Sequence, residues 1–387
     1  GDVYKRQLLD WFAMSHGARA QSIATGSEVD DQNSTPQRQR PRSNWYRTAS
    51  RRKVAIIAGL TALLCVTIAI DFLIGSSLNA NEALYVLFHP SDSRPIDWQI
   101  IFDIRLPMTV TAVLIGGTLA AAGAEMQTIL DNPLAEPYTL GISAAASFGA
   151  AFATVSGFTA AGIGAALGMA GSAWVFALAA CAVIVLFSRS KSSGTEGMIL
   201  LGIAIVFLFD ALLALMQYLA SQTQLEQVVF WTLGSLTRAT WPQIGLLAVI
   251  SLIGIAYFYR NAWTLTAFRM GDDRARSMGI NIPKLRTYTL VGVSLMAATA
   301  VSMAGTIGFI GLVGPHIARM LVGEDQRFFL TTSIISGALL LTSASVVSKL
   351  IQPGAILPVG IITAIVGVPV FVVLIVLRRR PRTVSST

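Results

Sequence analysis

Beyond residue 53 the chain is written in long apolar runs separated by short polar breaks. Ten runs stand out, near 54–74, 106–127, 140–156, 172–187, 198–220, 243–259, 288–304, 305–321, 329–348 and 359–377. Their lengths are about what a helix needs to cross a hydrocarbon core roughly 30 Å thick. None alternates every second residue as barrel strands do, and an open sheet would leave its backbone unsatisfied in lipid. The pattern predicts an all-α membrane protein, a polytopic bundle of about ten transmembrane helices.

Residues 1–53 break this pattern. They are rich in Ser, Gln, Arg and Asp, lack helical periodicity, and predict a disordered tail. The first apolar run lies too deep, and is too long, for an ordinary cleaved leader, so it is expected to stay as an anchor. The expected organisation is a tail at 1–53, a membrane domain at 54–380 and a short tail at 381–387.

With ten spans both termini share one side. On that side fall 24 of the 28 Lys and Arg residues, six of them in loop 260–287, and only Arg94, Arg105, Arg238 and Lys349 fall on the other. Basic residues mark cytoplasmic loops, so both termini are expected in the cytoplasm. The composition, 54% hydrophobic against 12% charged, agrees with lipid as the solvent. The net charge of +8 follows from topology and gives no reason to expect nucleic acid. Cys65 and Cys181 lie inside separate apolar runs and read as core residues, not as a disulfide or metal pair.

Catalytic signatures are missing. None of the five lysines follows a glycine, so no phosphate-binding loop is present, and HExxH, GxSxG and CxxC do not occur. No enzyme activity and no cofactor or metal bound by this chain are expected. Two carboxylates sit inside apolar runs, where they are costly and usually face a cavity. Asp210, in mid-run, is the candidate for a translocation pathway; Glu125 lies near a run end, close enough to the interface to be wetted. Gly305, Gly308, Gly311 and Gly314 recur in steps of three and predict a small-residue surface for close helix packing. Pro315 removes a backbone donor and frees a carbonyl that a neighbour must satisfy, with His316 one possible partner. A packed, hydrogen-bonded histidine is the stronger reading there and a proton carrier the weaker. Arg319 is expected to snorkel to the cytoplasmic face.

Four motifs occur in a fixed order: RLP at 105–107, NPLAEP at 132–137, GLVGPH at 311–316 and LPVG at 357–360. Together they resemble the FecCD-like permease subunits of ATP-binding-cassette importers for iron-siderophores, haem and cobalamin, over roughly residues 54–380. The resemblance implies a bacterial inner-membrane transport subunit that imports an iron-siderophore or related metal chelate. It also implies three partners: a cytoplasmic ATPase that uses the ATP, an extracytoplasmic substrate-binding protein, and a second permease subunit, identical or different. In loop 260–287, Gly271, Ala275, Met278, Gly279 and Ile280 are similar to the family's ATPase-coupling segment. Arg105 and Lys349 match basic residues that dock the binding protein, although each could equally anchor a helix end by snorkelling. NPLAEP reads as a rigid turn at the membrane surface. The competing class is a proton-coupled secondary transporter with Asp210 and His316 as its relay.

Overall fold

The computed structural model describes residues 42–75, 78–89, 92–157, 162–189, 195–351 and 356–378. The chain divides into two units, Gly1–Ala49 and Ser50–Thr387, and of the first only the opening turns of helix α1 are described. Most of the expected N-terminal tail and all of the C-terminal one lie outside these residues. Helix α1, Arg42–Leu73, already covers the last part of the segment expected to be disordered.

Helices account for every expected run. After α1 come α2 (Ala80–Phe88), α3 (Pro95–Ile129, with a π-helical turn at Ile100–Arg105), α4 (Ile142–Val155), α5 (Gly162–Ser188), α6 (Thr195–Leu219) and α7 (Gln222–Thr232). Then follow α8 (Trp241–Arg260), α9 (Ala262–Phe268), α10 (Asp272–Ser277), α11 (Ile282–Ala304), α12 (Ile310–Val322), α13 (Gln326–Ile351) and α14 (Val359–Arg378). Seven of these are long and apolar enough to cross a membrane, and α4, α12 and α14 are shorter apolar helices, which makes ten. No strand occurs among the described residues.

Burial ranks the spans. The apolar window of α11 is 78% buried within the chain, whereas that of α1 is only 6% buried and that of α6 17%. A helix so exposed is tolerable because lipid solvates its apolar side chains. Close backbone packing joins α3, α12 and α13. A Cβ on Gly116 of α3 would collide with the Gly337 backbone of α13, and one on Gly123 with the Gly311 backbone of α12. In lipid, where burial of apolar surface drives little, such backbone approach supplies the dispersion contact that holds helices together.

This packing corrects the expected run of four glycines on one helix. Gly305 and Gly308 lie in a non-helical break before α12; only Gly311, Gly314 and Pro315 are in the helix. Gly305 is in the left-handed region at φ 79° and packs against the Trp231 carbonyl and Gly234. Phe309, which is not glycine, also has a positive φ of 69°, and Gly323 closes the helix at φ 77°. Thus α12 is a half-length helix with a left-handed residue at each end. Pro315 frees the carbonyl of Gly311 one turn back, as expected, and Gln127 of α3 donates to it at 3.4 Å.

Candidate translocation cavity and coupling segment

Asp210 is exposed on α6 and lines a cavity of about 220 Å³ with Tyr138, Ser143, Ser147, Thr232 and Thr306. Four short or broken elements make this polar wall. The segment between α3 and α4 supplies Tyr138; the first turns of α4 supply both serines; the end of α7 and the break before α12 supply the threonines. Thr306 Oγ1 donates to the Thr232 carbonyl at 2.5 Å and so ties that break to α7. The NPLAEP segment does turn, with Asn132 accepting the Leu134 N–H at 2.9 Å and Leu134 exposed, but its second half goes inward. Ala135, Glu136 and Pro137 are buried, and Glu136 lies against Gly311 and accepts the backbone N–H of Phe309. A larger cavity, about 500 Å³, is lined by Met169, Glu226, Phe230, Trp231, Arg238 and Met303 among others. It holds none of the expected site residues, and Arg238 is committed to the carbonyls of Phe230 and Trp231 at 2.6 and 3.3 Å. No group of three or more His, Cys, Asp or Glu lies together among the described residues.

In the 260–287 segment the expected coupling residues separate into two kinds. Gly271 and Gly279 have φ of 102° and 80° and open onto space, so they shape the turns on either side of α10. Met278 is 56% exposed and Ile280 half-buried. Ala275 is fully buried in the core with Leu265, Phe268 and Ile282. The small side chain is thus needed for packing the short helices on the bundle, and a bulky replacement would disturb that packing before it reached any partner. Asn281 caps α11 by accepting from the Lys284 N–H at 3.1 Å, which fixes where the segment ends.

Arg105 and Lys349 are not free rim charges. Arg105 is 5% exposed and its guanidinium donates to the carbonyls of Leu78 and Leu73 at 2.7 and 3.4 Å. The Lys349 ammonium lies 2.9 Å from Asp71 Oδ1 and donates to the Asp71 carbonyl at 2.7 Å. Thr109 donates to the other Asp71 oxygen at 2.5 Å. These two cations clamp the end of the lipid-exposed α1, a use that a charge at a run end does not disclose.

At the opposite end of α3, Glu125 is fully buried and bonded to the buried Gln326 amide, so it is not wetted as expected. Beside it, Arg319 donates to Gln127 at 2.9 Å and approaches Glu324 at 3.4 Å, while Arg269 donates to Glu324 at 2.6 Å. Both guanidiniums lie over the buried Phe329 ring, at 5.4 and 5.6 Å. Arg319 therefore works inside a cluster instead of simply snorkelling. Gln127 and Gln326 were not singled out by sequence, and Glu136 only as a member of NPLAEP; the one signal for Gln127 was the carbonyl that Pro315 must free.

The comparisons with known proteins agree with this architecture. The FecCD transport family model matches residues 61–377. An ABC transporter permease of Methanocaldococcus jannaschii is 38% identical over 71% of this chain and 81% of its own length. The iron(3+)-hydroxamate import system permease FhuB of Bacillus subtilis is 32% identical over 82% of each chain. A solved inward-facing structure of a metal-chelate type ABC transporter superposes with a TM-score of 0.72 at 30% identity, covering 84% of this chain and 99% of that one. With its motifs, its ten apolar helices and its coverage all in accord, this chain belongs to the FecCD transport family and is one of its membrane permeases.

Proposed function

We propose that this permease imports an iron(III) chelate or closely related metal chelate, handed over by an external binding protein and driven by a separate ATPase. The observation that carries the reading is the 262–280 segment. Two short helices, joined at Gly271 and closed at Gly279, both at positive φ, and anchored by buried Ala275, Leu265 and Phe268, hold exposed Met270 and Met278 at a fixed surface. A firmly mounted apolar knob is what a detachable motor can push. The exposed face of α6 supports a second permease subunit. A cavity of about 220 Å³ is smaller than ligand sites usually are, so a bulky chelate needs a second wall. Both termini then lie in the cytoplasm, on the side of the basic loops, and ATP is bound by the partner alone.

The test is uptake of a ferric hydroxamate into vesicles holding the permease with its co-purifying ATPase. Uptake is expected to need ATP and to persist when the proton gradient is collapsed. Asp210→Asn is expected to change rate or ligand preference and to keep the ATP requirement. Met278→Asp is expected to weaken ATPase capture without loss of membrane insertion. Gradient-driven uptake by the permease alone, abolished by Asp210→Asn, would instead establish the proton-coupled carrier.

A further inference from the structure

The half-helix α12 is joined to the coupling segment by a continuous series of polar contacts. Arg269, at the end of α9, bonds Glu324 at 2.6 Å; Glu324 approaches Arg319 of α12 at 3.4 Å; Arg319 bonds Gln127 Oε1 at 2.9 Å. Through its amide nitrogen Gln127 reaches the Gly311 carbonyl at 3.4 Å, so one side chain of α3 holds both ends of α12. A second strand runs alongside. The Gln326 N–H donates to Thr266 of α9 at 3.3 Å, and the Gln326 side chain bonds Glu125, also on α3.

Gln127 is 2% exposed and uses both ends of its amide. Its acceptor takes a guanidinium, and its donor takes a carbonyl that lacks its helical partner because Pro315 brings no N–H. The element it holds is suited to move as a unit. A helix of 13 residues is bounded by left-handed Phe309 and Gly323, and much of its contact surface to α3 and α13 is small, Gly311, Gly314 and Ala318, which interlock few side chains. At its far end the Phe309 N–H bonds Glu136, two residues from Tyr138 in the wall of the Asp210 cavity.

We propose that Gln127 is a positioning residue for transport, transmitting displacement of the 262–277 helices to α12 and, through Phe309 and Glu136, to the Asp210 cavity. The proposal rests on the reading that a partner ATPase engages those short helices. The relay has two separable halves. Glu324 links the short helices to Arg319, and Gln127 links Arg319 to Gly311. Loss of either half uncouples hydrolysis from transport without removing the ATPase from its seat, because Met278 and the exposed surface are untouched.

The experiment measures ferric hydroxamate transported per ATP hydrolysed in vesicles of the full permease with its co-purified ATPase, together with thermal unfolding of each variant. Glu324→Ala removes both guanidinium contacts at a side chain that is 56% exposed, so folding is retained. Gln127→Glu keeps an acceptor for Arg319 and removes the donor for Gly311. Both are expected to lower transport per ATP by roughly three- to thirty-fold, the range of coupling energies carried by such networks, while ATP hydrolysis and complex recovery persist. A variant that only loosened the fold would lower recovery and hydrolysis together. Unchanged transport per ATP in Gln127→Glu, or in Glu324→Ala where Gln127→Glu does not insert, overturns the relay and leaves the ATP-driven reading intact. Wild-type uptake indifferent to ATP overturns both.

Discussion

Asp71 and Glu125 are both carboxylates without exposed surface, and both are held on α3, yet they are bonded in opposite ways. Their contact points on that helix, Thr109 and Glu125 itself, stand about 24 Å apart at 1.5 Å per residue. Each Asp71 oxygen faces a partner: Lys349 lies 2.9 Å from Oδ1 as an ion pair and also donates to the main chain, and Thr109 donates to Oδ2. Around Glu125, by contrast, Glu125 Oε2, Gln326 Oε1 and Arg269 Nη1 are buried without a hydrogen-bond partner. A buried polar atom left unpaired is costly, and three together leave room for an alternative pairing. The first cluster is built as a fixed clamp and the second with bonding capacity in reserve. That division suits a transporter whose α1 must stay attached while its short helices are displaced.

The clamp should give the largest response to mutation. Lys349→Met strands the Asp71 charge and is expected to cost about 3–5 kcal/mol, seen as lower recovery from the membrane and a lower Tm. The double variant with Asp71→Asn should regain most of it, because the uncompensated charge, not the missing pair, carries the penalty. Full stability of Lys349→Met alone would remove the distinction between the two clusters. Arg105→Met should follow at about 1.5–3 kcal/mol, since two main-chain carbonyls lose a charged donor.

In the second cluster Gln326→Leu leaves Glu125 with no partner and is expected to cost about 1–3 kcal/mol in the same unfolding measurement. Glu125→Gln should be nearly neutral, because an amide oxygen in the place of Oε1 still accepts from the Gln326 amide. A cost for Glu125→Gln as large as that for Lys349→Met would mean that Glu125 is as fully committed as Asp71.

Sequence made the ten spans legible because lipid demands about twenty apolar residues wherever a helix crosses, whatever it packs against. The clamp was not legible, since a cation at a run end looks the same whether it faces water or an adjacent carbonyl. The glycines at 305–314 misled for a related reason. A spacing of three suits a helix, but the left-handed turn at Phe309 lies on a residue type that seldom adopts it, held where its N–H meets Glu136 and its side chain packs on Gly367. Helix α7 did carry a signal. Ser221 and Gln224 form a capping box, which a search for apolar runs of spanning length passes over. At Pro315 the sequence showed that a carbonyl must be freed, and the fold alone supplied Gln127.

The smallest effect should come from the ion pair at the edge of the second cluster. Asp325 lies between α12 and α13 and bonds Arg327 at 2.8 Å, and that hydrogen bond holds its carboxyl below the ordinary value. A depressed folded-state pKa contributes stability above the unfolded pKa, near 3.9, and loses it as pH falls through the folded value. The dependence should therefore appear only below about pH 4 and vanish in Asp325→Asn. Both side chains remain partly exposed, so solvent screening limits the contribution to about 0–1 kcal/mol at neutral pH. High salt should shrink it further, while leaving the Lys349→Met penalty almost unchanged, because a pair buried at the end of α1 is screened far less. Equal salt sensitivity of the two would mean that the Asp71 clamp is wet.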